Sequence, residues 1–144
     1  MMHEWSIAEG IVDTIVNYSL KEGAKKVVKA VISVGELSQL NLEILKYAIK
    51  ALSEETIMEN AEIVFQTEEA MFKCLNCGYS WSFSEVRKKL LKMFCGEEVE
   101  ECDNPVHYVP DLINVFIRCP KCGSPDFEVS SGRGVKIVSI EVVK

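Results

Sequence analysis

The amino-acid sequence predicts an α+β fold, in which two helices lie on a three-stranded sheet and a cysteine-rich module is inserted before the last strand. Three observations predict this fold. Helix-like and strand-like hydrophobic periods alternate over residues 1–70. Residues 71–131 contain two C-x-x-C pairs. An apolar, alternating segment at residues 135–143 then returns to the strand pattern.

The first element is a helix predicted over residues 7–22. Ser6 and Glu9 form a capping box, in which the two side chains satisfy backbone N–H groups of the first turn. Gly23 provides a stop signal at the other end. The apolar residues at helical spacing are Ile7, Ile11, Ile15 and Tyr18.

Two strands and a second helix follow in the same domain. The first strand and the second helix are each predicted from one apolar stripe, and Asn41 is placed to cap that helix. In the second strand, Ile63 and Phe65 share one face. The strand stripe is Val28, Ala30, Ile32 and Val34, and the helix stripe is Leu42, Leu45, Ile49 and Leu52.

The closing strand, residues 135–143, decides the domain organisation. It is apolar enough to need a core, and a small metal module offers little apolar volume. We therefore assign residues 1–70 and 132–144 to one α+β domain, and residues 71–131 to the inserted module. Two serial domains with a terminal hairpin are the competing arrangement. The alternation slips phase near Val138, which is typical of a β-bulge.

The cysteines of the module form two C-x-x-C-G knuckles, Cys74 with Cys77 and Cys119 with Cys122. Two intervening residues let both sulfurs turn toward one ion, and the glycine permits the positive φ that the turn needs. Together the knuckles predict a tetrahedral four-thiolate site, closed as in structural zinc centres. The 41 residues between the knuckles exceed the roughly 15–20 of common zinc sites. We predict that the additional residues form a loop and that residues 84–93 within this stretch are helical.

The pattern alone leaves other states of the cysteines open. The four knuckle cysteines would alternatively be free thiols, form two local disulfides, or bind iron as in rubredoxin-type centres. Cys95 and Cys102 lie in an acidic run and are interpreted as exposed or half-buried thiols. A mutual disulfide and a ligand role are the alternatives for this second pair.

Composition limits the partners and the compartment. The net charge of −6 disfavours nucleic acid, because phosphate contacts need a basic surface. The chain start lacks the features of a secretory signal, and no segment has the roughly 18 apolar residues of a membrane span, so we expect a cytoplasmic protein. We do not expect an enzyme, because the sequence has no Gly-rich phosphate loop and no convincing catalytic triad.

The two histidines, His3 and His107, would ordinarily be surface or capping residues. The position of His3 near the chain start allows a sharper hypothesis. An α-amine, deprotonated backbone amides and an imidazole can form a planar chelate, which favours Ni(II) or Cu(II). In the chain as written, His3 follows two residues, so the amine, two amides and the imidazole could complete this chelate alone. If the chain begins at Met2, the chelate is one nitrogen short and His107 is the candidate donor. Glu4 would contribute its backbone amide, with its carboxylate nearby.

Four sequence features resemble the HypA family, the nickel metallochaperones of [NiFe]-hydrogenase maturation. They are the MHEWS start, the VGEL strand end, the two C-x-x-C-G knuckles and the closing GRGVKI strand. The resemblance covers essentially the whole chain. Two features depart from the family pattern: Met1 precedes the M-H-E motif, and the long linker carries His107, as in archaeal members.

The resemblance implies a nickel-binding domain of two helices on a three-stranded sheet, with an inserted zinc-ribbon domain. It implies Ni(II) bound through Met2, His3 and Glu4, which match the M-H-E start, with His107 joining from the linker. It also implies delivery of nickel, together with the partner GTPase HypB, to the hydrogenase large-subunit precursor.

Two other functions and the oligomeric state stay open. A zinc-ribbon interaction module of transcription or translation would share the knuckles, although the negative charge disfavours it. A rubredoxin-like iron electron carrier would be red. Exposed strand edges and an exchangeable last strand also allow a homo-oligomer or a swapped dimer.

Overall fold

The structure, a computed structural model, describes residues 2–87 and 117–144. Residues 83–87 are helical, and the rest of the linker helix predicted over residues 84–93 lies outside the described residues. No helix in the described ranges is long and apolar enough to cross a membrane. The remaining helices and strands are α1 (Met2–Lys21), β1 (Lys26–Gly35), α2 (Leu42–Ser53), β2 (Glu62–Glu68), β3 (Met71–Cys74), β4 (Ser80–Ser82), β5 (Phe127–Ser131) and β6 (Val135–Val143).

The chain folds into two compact units. The first comprises Met1–Ser33, Leu40–Gln66 and Val135–Lys144, and the second comprises Val34–Gln39 and Thr67–Gly134. Two three-stranded sheets are present in the described residues, with strand orders β2-β1-β6 and β4-β3-β5. The predicted α+β fold, with a three-stranded sheet and a cysteine-rich insertion, is therefore confirmed.

The first unit is built around contact between the two helices. α1 packs against α2 and also contacts β6. The predicted helical stripe is only partly right, because Tyr18 is 57% exposed. Val28 is likewise exposed in β1, where Val27 is buried in its place. The helical side chains that fill this core are Ala8, Ile11, Val12, Ile15, Ser19, Leu45, Ala48, Ile49 and Ser53.

The two helices differ in how well their starts were predicted. α2 begins as expected, because the Asn41 side chain accepts a hydrogen bond from the backbone N–H of Ile44 at 3.0 Å. The predicted start of α1 is wrong: the helix begins at Met2, and Ser6 and Glu9 lie inside it on the exposed surface. The first turn of α1 is held by contacts distant in sequence, described below, rather than by a capping box.

The second unit has a core dominated by aromatic side chains. Phe72 of β3 lies opposite Trp81 of β4 and Val129 of β5 in antiparallel pairing. Its ring centroid is 5.7 Å from that of Trp81 and 5.6 Å from that of Phe127. Cys74 and Cys119 belong to the same buried cluster. The module therefore has more core than its sequence suggested, and the knuckles rest on it.

Strand β6 is less buried than its sequence predicts. None of its nine residues is buried, although six of them are valine or isoleucine. Half-buried and exposed positions alternate, except that Val138 and Ser139 are both exposed. The interruption lies where the sequence shows a phase slip. β6 is also an edge strand, since in the described part of the chain it pairs with β1 alone.

Two glycines in the second unit allow separate backbone segments to touch. A Cβ at Gly35 would overlap the carbonyl group of Gly132, and a Cβ at Gly132 would overlap Ala70. The backbone N–H of Leu37 donates to the carbonyl oxygen of Gly132 at 2.8 Å. Gly132 also has a φ of +91°, which side chains with a Cβ rarely adopt. Residues 34–37 (VGEL) and 132–134 (GRG) therefore approach each other closely because glycine has no side chain at the points of contact.

We expect Gly132→Ala to destabilise the protein by at least about 2 kcal/mol, because it combines a strained φ with overlap onto Ala70. Thermal unfolding followed by circular dichroism measures the effect. Gly134→Ala is the matched control, since a Cβ there meets no heavy atom within 4 Å. Equal unfolding temperatures for the two variants would contradict the close packing.

Candidate metal centres

The first knuckle is positioned by the end of β3. Cys74 is the last residue of that strand, and the following turn carries Cys77 back over it. The backbone N–H of Cys77 donates to the Cys74 sulfur at 3.4 Å, and that of Gly78 donates to the Cys74 carbonyl oxygen at 3.0 Å. Gly78 has a φ of +80°. This is the positive φ that the glycine of the C-x-x-C-G pattern was predicted to supply.

The second knuckle repeats this geometry just before β5. The Cys119 sulfur accepts hydrogen bonds from the backbone N–H groups of Lys121 at 3.4 Å and Cys122 at 3.5 Å. Gly123 closes the turn with a φ of +75°, and its N–H donates to the Cys119 carbonyl oxygen at 2.9 Å. In each knuckle, backbone N–H groups therefore point at sulfur and stabilise negative charge there.

The structure brings all four predicted cysteines together. Their sulfur atoms lie within 4.8 Å of one another, with Cys74 and Cys122 separated by 3.6 Å and Cys77 and Cys119 also by 3.6 Å. A tetrahedron with metal–sulfur distances of about 2.3 Å has sulfur–sulfur edges of about 3.8 Å. All four cysteines are free in this structure, so the two local disulfides are not formed.

The thiols of the cluster differ in acidity. The backbone N–H of Ser124, helped by the Asn76 side chain 3.7 Å from the sulfur, lowers the pKa of Cys122 to about 6. The backbone N–H of Tyr79 lowers the pKa of Cys77, but burial and the neighbouring cysteines outweigh it and raise the pKa to about 11. The cluster is therefore partly ionised before any metal binds, which favours a cation.

Asn76 is a residue whose role the sequence analysis missed. It lies between the cysteines of the first knuckle, and its amide donates to the sulfur of Cys122 in the second. A polar side chain inside a C-x-x-C turn is the signal that could have found it. The bond links the two knuckles without using a ligand position.

The other predicted site residues lie at the start of α1. His3 is exposed on the first turn, and Glu4 is buried with only 6% exposure. The Glu4 carboxylate accepts a hydrogen bond from the backbone N–H of Asn41 at 3.1 Å, and this bond lowers the pKa of Glu4. Beside them the ring of Trp5 meets that of Tyr47 edge to face at 6.1 Å.

These contacts explain why the helix starts early. The Glu4 carboxylate ties the first turn of α1 to the first residues of α2, and the aromatic pair adds a second contact between the two helices. A negative side chain in a first turn is also favoured by the helix dipole. The chain start is therefore an ordered helical turn, whereas the sequence predicted that the helix would begin only at residue 7.

Comparison with known proteins decides the family. The family model described as "Hydrogenase/urease nickel incorporation, metallochaperone, hypA" matches residues 2–142. Hydrogenase maturation factor HypA of Pyrococcus horikoshii is 45% identical over 99% of this chain and 97% of its own length. That of Ignicoccus hospitalis is 34% identical over 97% and 96%.

The chain belongs to the HypA family.

Solved structures agree on the fold of this HypA protein. A solution structure of the Ni metallochaperone HypA from Helicobacter pylori aligns with a TM-score of 0.62 at 16% identity, covering 97% of each chain. A second solution structure of a HypA protein aligns with a TM-score of 0.65 at 17% identity, covering 99% of this chain and 98% of the other. At these identities the likeness supports the shared fold alone.

Membership in the HypA family also decides between the functions that the sequence left open. The chain is a nickel metallochaperone of hydrogenase maturation and not an enzyme. The transcription or translation module and the iron electron carrier are not favoured. The four cysteines form a metal-binding cluster of the kind that fits zinc.

The structure describes three of the four predicted nickel ligands of this HypA protein. Met2, His3 and Glu4 share the first turn of α1. His107, the predicted fourth nickel ligand, lies outside the described residues, as do Cys95 and Cys102.

We expect the metal affinity of the cysteine cluster to fall on acidification, and more steeply below about pH 6. Above that pH Cys122 is already ionised, whereas Cys77 must lose a proton to bind metal. Below it, one further proton must be displaced from Cys122. Chelator competition at a series of pH values measures the slope. Asn76→Ala should move the break to higher pH, and an unbroken slope would contradict the assigned acidities.

Proposed function

We propose that this HypA protein holds Zn(II) permanently in its four-cysteine cluster and carries Ni(II) at the first turn of α1. In this proposal the nickel-binding domain comprises residues 1–70 and 132–144, and the zinc-ribbon domain comprises residues 71–131. The observation that carries the proposal is the contrast between a closed sulfur cluster and an exposed histidine on the first helical turn.

The donor set of the cysteine cluster supports zinc as a structural ion. Four sulfurs at near-tetrahedral separations leave no open position for a substrate, which is typical of structural zinc sites. Cys74 and Cys119 are buried and Cys77 and Cys122 exposed, so one side of the ion would be shielded by the aromatic core. The ion would hold the two knuckles together and take no part in the transfer of nickel.

The backbone of the first turn of α1 supports nickel binding at Met2, His3 and Glu4. The first N–H groups of a helix have no acceptor within the helix, so their nitrogens can lose protons without breaking helical hydrogen bonds. Deprotonated amide nitrogens and an imidazole form the planar nitrogen set that Ni(II) favours. Their negative charge also offsets the penalty of about 0.3–1 kcal/mol for a cation near a helix N-terminus.

Glu4 anchors this turn through its side chain in our proposal. Its carboxylate is engaged by the backbone N–H of Asn41, so Glu4 contributes its backbone nitrogen as the ligand. Helical ψ angles are about −42°, and adjacent nitrogens in one chelate ring need a ψ nearer zero. Nickel binding then needs a local rotation of the first turn, which the bond to Asn41 keeps from spreading along α1.

His107 completes the proposed nickel site from the linker between the knuckles. A ligand on a loop can leave without unfolding the protein, which lets the ion pass to a partner. Protonation of the imidazoles and amides weakens nickel binding, so nickel affinity falls as pH falls. The combination suits an ion that is carried rather than kept.

We propose that nickel passes to the large-subunit precursor of a [NiFe]-hydrogenase with the help of a HypB-type GTPase, in the cytoplasm. The sequence has no Gly-rich phosphate loop, so nucleotide hydrolysis must be supplied by a partner. Trp5 and Tyr47, 41% and 69% exposed, offer an aromatic surface beside His3. Exposed aromatic side chains are enriched at protein interfaces, which supports transfer at this end of the helix pair.

We expect His3→Ala to lower nickel affinity by a factor of at least about 100, since it removes the imidazole from a four-donor set. Calorimetric titration with Ni(II) and measurement of bound zinc test this on the full chain. Zinc content should stay unchanged, because His3 lies outside the cysteine cluster.

Cys122→Ser is the reciprocal control. It should release zinc and leave one nickel bound, while His107→Ala should weaken nickel binding without affecting zinc. Unchanged nickel affinity in His3→Ala would refute the proposed nickel site.

A further inference from the structure

The cysteine cluster has a buried side and an exposed side. Cys74 and Cys119 are only 1% and 3% exposed and belong to the aromatic core, whereas Cys77 and Cys122 are exposed. A small polar oxidant such as hydrogen peroxide therefore meets the exposed pair first. Reaction of a cysteine with such an oxidant follows its exposure and the negative charge on its sulfur. A four-thiolate site supplies that charge, so its exposed side is where oxidation begins.

The two exposed sulfurs differ in the hydrogen bonds that they accept. The sulfur of Cys122 accepts from the backbone N–H of Ser124 and from the side-chain amide of Asn76, which lies 3.7 Å away. The sulfur of Cys77 accepts from the backbone N–H of Tyr79. Each donor stabilises negative charge on the sulfur that it contacts and so lowers the nucleophilicity of that thiolate. Cys77, which Asn76 does not protect, is therefore the more reactive member of the exposed pair.

Each exposed sulfur also has a buried sulfur beside it in the other knuckle. The sulfur of Cys77 lies 3.6 Å from that of Cys119, and the sulfur of Cys122 lies 3.6 Å from that of Cys74. These pairs must approach by roughly 1.5 Å to reach the disulfide bond length of about 2.05 Å. A sulfenic acid formed on an exposed cysteine thus has a second sulfur at hand, which converts it to a disulfide.

We propose that Cys77 is an oxidation site for hydrogen peroxide, with Cys119 of the other knuckle as its resolving cysteine. The Cys77 thiolate attacks one peroxide oxygen, the O–O bond breaks, and hydroxide leaves behind a sulfenic acid. The Cys119 thiolate then attacks the Cys77 sulfur, the S–O bond breaks, and a second hydroxide leaves as the S–S bond forms. Two electrons pass from two thiolates to one peroxide molecule.

This modification rests on the proposed zinc occupancy and would make that occupancy reversible. The disulfide withdraws two of the four sulfurs, and the remaining two are too few to hold the ion. Because the bond joins the two knuckles, they stay together over the aromatic core after the ion has left. A thiol or phosphine reductant can then restore the four-sulfur cluster without refolding. A disulfide within one knuckle would leave the knuckles unlinked.

Peroxide treatment of the zinc-loaded full chain tests the site. Cys95 and Cys102 are replaced by serine, so that the four knuckle cysteines are the only thiols. A colorimetric chelator follows zinc release, and fragmentation mass spectrometry of alkylated samples identifies each disulfide over time. Zinc should leave in step with a Cys77–Cys119 disulfide and bind again after reduction. Zinc content before treatment tests the proposed zinc site separately, because the order of the disulfides is read from masses alone.

A pair of variants tests the role of the hydrogen-bond donors. Asn76→Ala removes a donor from Cys122 and should speed formation of the Cys74–Cys122 disulfide roughly threefold or more. The rate of the Cys77–Cys119 disulfide should stay unchanged. Lys121→Ala is the matched control, because Lys121 holds the same place in the second knuckle and donates to sulfur through its backbone N–H. Circular dichroism and zinc content verify that each variant is folded.

Four results would each overturn the proposal. They are zinc retained at peroxide concentrations that oxidise free cysteine, zinc release without a disulfide, a first disulfide other than Cys77–Cys119, and equal acceleration in Asn76→Ala and Lys121→Ala.

Discussion

The second unit depends on the convergence of four cysteine sulfurs from two distant parts of the chain. These sulfurs lie within 4.8 Å of one another, and their pKa values differ: hydrogen bonds from Ser124 and Asn76 lower that of Cys122, whereas burial and the neighbouring cysteines raise that of Cys77. Several thiolates so close together repel one another unless a cation sits among them. Since Cys74 and Cys119 belong to the buried cluster that contains Phe72, metal binding and the aromatic core support each other.

The cysteine cluster and the start of α1 differ in how firmly the chain holds their metal-binding groups. The cysteine cluster is enclosed by two rigid turns, each fixed by a glycine with positive φ and by N–H groups aimed at sulfur. The start of α1 instead places His3 on the surface, where its imidazole is open to exchange. Glu4 gives that surface turn its order through one hydrogen bond to the start of α2. A permanent ion suits the first environment and a transported ion suits the second.

Local features of this protein were predictable from its sequence, and features set by distant contacts were not. The Asn41 cap and the C-x-x-C-G turns depend on neighbouring residues, so their signals are complete within a few positions. The start of α1 was misplaced because Glu4 is held by a residue 37 positions away. No spacing rule reports such a bond.

The residues of the candidate metal site were likewise only partly predictable from the sequence. The four cysteines were found by spacing, and the structure brings their sulfurs together. The contribution of Asn76 was missed, because an amide becomes a partner of sulfur only once the two knuckles face each other. The exposure of β6 was missed as well, since its apolar residues look like core residues until the strand is seen at the edge of the sheet.

X-ray absorption at the zinc and nickel edges, on protein loaded with one equivalent of each metal, tests the separation of the two sites most directly. Our interpretation predicts four sulfur neighbours at about 2.3 Å around zinc. It predicts only nitrogen and oxygen neighbours around nickel, with an imidazole among them. Sulfur in the nickel shell, or nitrogen in the zinc shell, would contradict it, because the two ions would then share ligands.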